Sequence, residues 1–182
     1  MESQFSLEGR ISLVTGGSGG IGQACVQRLL DYGSKVTLTY IKGTETPEMV
    51  LEKFTDVDDI AIQPLNLNDI NSIKHCINGV VKEHGKIDIL VNNAAVGSST
   101  VKEFSDDPET QDSVMLDINA DGTLKMCQQF LTLPDIPNRK LINISSVGGG
   151  IAAFPGFRLS DGMSKAAVAF LTRQLAAETV HS

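Results

Sequence analysis

Tryptophan is absent from the chain, tyrosine occurs only twice in 182 residues, and positive charge is in deficit, with 15 Lys and Arg against 22 Asp and Glu. A formal charge of −7 argues against the basic surface that nucleic acid or an anionic membrane attracts. Cysteine is scarce as well. Cys25, Cys76 and Cys127 are odd in number and lack Cys-x-x-Cys spacing, so buried free thiols are expected rather than disulfides or a zinc site. No apolar run approaches the roughly 18 residues of a membrane span, and MESQFSLEGR at the N-terminus has no apolar segment after a basic start. The expectation is a soluble cytoplasmic protein with small-molecule partners.

Short apolar runs alternate with amphipathic segments along the chain. ISLVTG (11–16) runs into glycines, and IGQACVQRLLDYG then sets Ile21, Ala24, Cys25 and Leu29 on one helical face. KVTLTY (35–40) is rich in β-branched residues, and TPEMVLEKF opens with Thr46 as helix N-cap and Pro47 at the first helical position. IAIQPL (60–65) precedes a helix with an apolar stripe of Ile70, Ile73, Ile77, Val80 and Val81, closed by Gly85. IDILVNN (87–93) leads to a helix over about 108–130, with SDDPET (105–110) as its N-cap and acidic first turn. KLINISS (140–146) is the fifth strand, and a last helix spans 163–179.

This order predicts one α/β domain over 1–182: a Rossmann-like, doubly wound parallel sheet of five strands with helices on both faces. The unbroken apolar DILV suits a strand buried on both sides. VGGGIAAFPGF (147–157), with Pro155 and two phenylalanines, reads either as a loop over a pocket or as an ordinary connection.

TGGSGGIG (15–22) lies between the first strand and the first helix. Gly16, Gly20 and Gly22 there can supply a tight turn, a close approach to a diphosphate, and close helix–strand packing, with Ser18 and Ile21 beside them. Amides at the helix start then face an anion. After the second strand, TYIKGTET has no carboxylate before Glu45, whereas Lys42 can pair with a 2′-phosphate. NADP is therefore expected over NAD, with a solvated Lys42 as the alternative.

These segments, taken in order, resemble the short-chain dehydrogenase/reductase family over nearly the whole chain. TGGSGGIG is similar to its cofactor turn, LNLND to its adenine contact, ILVNNAA to its Asn-Asn-Ala-Gly segment, DINADG to its helix asparagine, INISS to its serine strand and DGMSKAAV to its Tyr-x-x-x-Lys helix. The resemblance implies that Asn66 and Leu67 contact adenine, that Asn93 stands by the ribose, and that Ala95 replaces a glycine of that wall. It implies a water held by Asn119, a substrate carbonyl bonded by Ser146 and a nicotinamide ribose held by Lys165; Ser145 reads as structural because adjacent strand residues face opposite sides of the sheet. The implied activity is NAD(P)(H)-dependent interconversion of a carbonyl and a secondary alcohol on a small molecule, in a biosynthetic setting. The implied assembly is a homo-dimer or homo-tetramer.

Two departures stand out. Asp161, four residues before Lys165, takes the place of the family's tyrosine, and Tyr32 and Tyr40 lie on the adenosine side. Free carboxyl groups titrate near pH 3.9, so at neutral pH about one in a thousand retains its proton. A phenolic general acid is lost, although a desolvated Asp161 remains a candidate acid or base. An Asp161–Lys165 ion pair that does no chemistry is the alternative. The chain also ends at LAAETVHS, where the family goes on to two further strands and a substrate cover, so a site open on the nicotinamide side and an edge position for strand five are expected. The alternative function is a redox-impaired relative: a protein working by proton transfer or cyclisation through Asp161, or an inactive incomplete product. His75, His84 and His181 read as surface or capping residues, and no metal is expected.

Overall fold

The computed structural model describes residues 5–54, 58–153 and 155–179. Five strands form one all-parallel sheet: β1 (Ile11–Val14), β2 (Lys35–Tyr40), β3 (Ile60–Pro64), β4 (Ile89–Asn92) and β5 (Lys140–Asn143), in the order β3-β2-β1-β4-β5. The order runs outward from β1 in one direction and then restarts at β4 in the other. Such a reversal opens a crevice beyond the carboxyl ends of β1 and β4. β5 lies at a sheet edge, as expected.

Neighbouring residues on a strand serve opposite faces. Leu13 joins a core with Ile73, Ile77 and Val80 of α3 (Ile70–His84) and Met126 and Phe130 of α5 (Thr123–Leu131). Val14 joins the other core, with Val26 of α1 (Gly20–Asp31) and Val50 of α2 (Pro47–Leu51). Thr46 caps α2 by accepting from the Met49 N–H, and Gly85 ends α3 at φ +79°, both as the sequence predicts. Cys25, Cys76 and Cys127 are free, and burial pushes the Cys76 thiol up to about 12.

Several local expectations change. Ile21 does not join the buried face of α1; it is 64% exposed and lines the crevice. The helix predicted from about 108 starts at Gln111, because 107–110 forms a separate turn in which Asp107 Oδ1 accepts the Glu109 N–H. That helix is built in three parts: α4 (Gln111–Leu116), a π turn (Asp117–Gly122) and α5. The last helix, α6 (Leu159–Thr179), begins four residues earlier than predicted. Its first turn is tied to α4, where Asp112 accepts from Ser160 Oγ at 2.6 Å and from Arg158 at 2.9 Å.

Candidate active site

The glycine turn is shaped by contacts that tolerate no side chain. Gly16 has φ +61°, and a Cβ on Gly22 would stand 2.2 Å from the Gly16 carbonyl oxygen and 2.6 Å from Asn93 Nδ2. Asn93 clasps the turn from the end of β4, its Nδ2 donating to the carbonyls of Thr15 and Gly16, each at 3.0 Å. The N-cap of α1 is Gly19, which offers no side chain, and the first bond of the helix runs from Gln23 N to Gly19 O. The preceding amides, Gly20 to Gly22, are thus available to an anion. A Cβ on Gly19 would meet nothing within 4 Å, so the turn leaves open space where a diphosphate would press against backbone.

From this turn a cleft of about 680 Å³ runs across the ends of β1, β4 and β5 to the first turn of α6. That volume suits a ligand of cofactor size. Ser18, Ile21, Asn66, Leu67 and Asn93 line one end, and Ser146, Phe157, Asp161 and Lys165 the other. The 147–157 loop therefore does contribute Phe157 to the wall, whereas Phe154 lies outside the described residues. Lys42 is exposed and is not among the lining residues, because the loop after β2 turns it outward and brings Glu45 to the wall instead. Glu45 accepts from Ser18 Oγ at 2.5 Å and from Lys53 Nζ at 2.6 Å. Burial works to raise its carboxyl, but the bonds from Lys53 and Ser18 outweigh that and hold it below the usual carboxylate range.

At the other end, Asp161 and Lys165 follow one helical turn apart, yet the ion pair named as the alternative is not formed. Asp161 Oδ2 accepts from Ser98 N–H at 3.2 Å and Ser98 Oγ at 2.9 Å, while Lys165 Nζ donates to the Ile144 carbonyl at 3.0 Å. Desolvation lowers the Lys165 ammonium from its usual range, and the charge of Asp161 opposes this only in part. Ser145 Oγ donates to the Lys165 carbonyl at 2.8 Å, which fixes α6 against the end of β5, and Ser145 lines the cleft together with Ser146 rather than facing away from it. Ser146 Oγ accepts the Gly148 N–H at 3.3 Å.

Asn119 sits beneath the cleft in the π turn rather than on its wall. Its amide side chain bonds both Val96 N and Val96 O at 2.8 Å and donates to Ser164 Oγ at 3.3 Å, so it locks the segment after β4 to α6. His75 is exposed, His84 lies 3.7 Å from Glu83, and His181 lies outside the described residues.

A family model described as short chain dehydrogenase matches residues 10–182. The chain belongs to the short-chain dehydrogenase family. It is 33% identical over 186 residues to a rhamnolipids biosynthesis 3-oxoacyl-[acyl-carrier-protein] reductase of Pseudomonas aeruginosa, covering 99% of this chain and 71% of that protein. It is 34% identical to the 3-oxoacyl-[acyl-carrier-protein] reductase FabG of Staphylococcus aureus, covering 92% of this chain and 67% of that one. Among solved structures, the Pseudomonas aeruginosa RhlG/NADP active-site complex superposes with a TM-score of 0.83 at 31% identity, covering all of this chain and 71% of that one.

For this short-chain dehydrogenase the fold is thus one that holds a nicotinamide cofactor, and the open backbone at Gly19 fits such a group. Sequence reasoning misses two residues of the site: Glu45, which lines the cleft, and Ser98, which bonds Asp161 from behind it. Ser98 belongs to no motif, and its contact with Asp161 spans 63 positions. Glu45 follows β2 too late in the sequence to read as a ribose carboxylate, and it is the folded turn after Ile41, where Thr44 N–H reaches the Ile41 carbonyl, that carries it back to the wall.

Proposed function

We propose that the protein is an NAD(P)(H)-dependent oxidoreductase that interconverts a carbonyl and a secondary alcohol on a small organic molecule, with NADP(H) as the working cofactor. The observation that carries this reading is the single cleft that joins the glycine turn to Ser146, Asp161 and Lys165. The neighbour solved with NADP and the reductase relatives support it. Those relatives are named as reductases, so the non-redox alternative is not adopted.

The amides that open α1 would receive the diphosphate, Asn66 and Leu67 would flank the adenine, and Lys165 would hold ribose hydroxyls of the nicotinamide half. When bound, the cofactor supplies or accepts the hydride. Ser146 donates a hydrogen bond to the substrate oxygen and so favours charge building up there. The proton is handled without a phenol. In the oxidative direction the Asp161 carboxylate, steadied by Ser98, would accept the alcohol proton and release it to solvent, and reduction would run the same route in reverse, solvent to Asp161 to the carbonyl oxygen. Homo-oligomerisation through α6 fits the exposed Leu159, Met163 and Phe170, which recur at helical spacing on that helix.

The test is turnover of NADPH and NADH by purified protein against a panel of ketones and acyl thioesters, with Ser146→Ala and Lys165→Met as controls. A rate that exceeds background and falls at least tenfold in both variants supports the reading; equal rates in all three proteins refute it.

A further inference from the structure

Three groups from three parts of the chain close on each other at the adenosine end of the cleft. Glu45 Oε2 accepts from Ser18 Oγ at 2.5 Å, Glu45 Oε1 accepts from Lys53 Nζ at 2.6 Å, and Nζ also donates to the Ser18 carbonyl at 2.9 Å. A hydroxyl and an ammonium that converge on one carboxylate make a seat for an anion, and here the anion is the protein's own. The seat adjoins the diphosphate turn on one side and the end of β2, with Thr39, Tyr40 and Ile41, on the other. That is the region where the adenosine ribose of a dinucleotide lies in folds of this topology.

We propose that Ser18 and Lys53 are the ligands of the 2′-phosphate of NADP(H), and that Glu45 fills their seat in the free protein and must leave it for the phosphate to enter. The inference rests on the dinucleotide reading of the cleft given above. Displacement is cheap, because the Lys53–Glu45 pair is partly solvated, with side chains 35% and 21% exposed, and pairs of that kind are weak. A phosphate ester brings nearly two charges and three acceptor oxygens in place of a single charge. The 2′-hydroxyl of NAD(H) has no charge with which to evict Glu45; it can instead donate to the carboxylate where it stands. The two dinucleotides therefore meet opposite faces of one residue: Glu45 is a rival of NADP(H) and a partner of NAD(H). Lys42, exposed and off the wall, has no part in this.

The experiment is calorimetric titration of the full chain and of Lys53→Met, Ser18→Ala and Glu45→Gln with NADPH, NADH, adenosine 2′,5′-bisphosphate and 5′-AMP, with circular dichroism to check folding. Lys53→Met is expected to weaken NADPH and the bisphosphate at least tenfold while NADH and 5′-AMP change less than threefold. Glu45→Gln is expected to tighten NADPH several-fold and to weaken NADH. Equal losses for both dinucleotides in Lys53→Met, or an unchanged NADPH to NADH ratio in Glu45→Gln, would overturn the seat while leaving the dinucleotide reading intact. Failure of the folded wild type to bind any of the four probes would instead overturn the dinucleotide reading itself.

Discussion

Replacing Asp161 with tyrosine tests whether the carboxylate is what limits reduction. Asp161 occupies the first turn of α6, one turn before Lys165, and its carboxylate lines the cleft. A phenol there would lie near the Lys165 ammonium, which favours phenolate and so lowers a pKa that is ordinarily about 10. A positioned general acid contributes about 10²- to 10⁴-fold, or about 2.7 to 5.4 kcal/mol of barrier. The substitution also removes the acceptor of both Ser98 donors, at a cost of about 1 to 2 kcal/mol in folding stability. That cost should appear in the melting temperature and not in kcat. The expected result for Asp161→Tyr is a rise of at least tenfold in kcat for ketone reduction, with NADPH affinity unchanged and a melting temperature lower by a few degrees. Asp161→Asn, which retains the shape without the charge, should give no such rise. If Asp161→Tyr is folded, binds NADPH like the wild type and reduces ketones no faster, the absent phenol is not the limiting defect and the argument fails.

Other perturbations separate packing from binding. Gly22→Ala should cost about 1 to 3 kcal/mol in a denaturant melt, since its Cβ would meet the Gly16 carbonyl at 2.2 Å, whereas Gly19→Ala should fold normally and lose dinucleotide affinity in titration. Burial works to raise the Asp88 carboxyl, but bonds from Ile11 N–H, Arg10 and Lys86 win and hold it low. Its contribution to stability is thus complete above the ordinary Asp pKa of about 3.9 and is lost as pH falls through the lower folded value; Asp88→Asn should flatten stability against pH in that acid window. For Lys165 the sign reverses. A lowered ammonium pKa means that the unfolded chain binds more protons between the folded value and about 10.4, so stability rises with pH across that window, and Lys165→Met should abolish the rise. The Cys76 thiol, pushed up to about 12 by burial, should react with a thiol reagent only at the rate of unfolding, more slowly than the less buried Cys25.

The fold was legible because its signals are local. A glycine turn after an apolar run, Thr46 before Pro47, and Gly85 after a stripe of isoleucines each state a backbone conformation within a few residues. The start of α4 was read three residues early because Asp107 caps a turn as readily as a helix, and spacing alone does not distinguish the two. The site was legible only in part for a different reason. Ser98 and Glu45 owe their positions to contacts with residues 63 and 27 positions away in the chain, and nothing in their immediate neighbours announces it. The Asp161–Lys165 spacing pointed to an ion pair, yet each group found a nearer partner in Ser98 and Ile144.

Because the crevice straddles the reversal between β1 and β4, its two ends are spelled by separate stretches of chain. Residues 16–67, with Asn93 from the end of β4, write the half that faces the glycine turn, and residues 144–165 supply Ser146, Phe157, Asp161 and Lys165 to the other. Edits near Phe157 therefore fall on the Ser146 half of the cleft and leave the glycine turn untouched. The molecule is in effect a fixed handle with an exchangeable tool head.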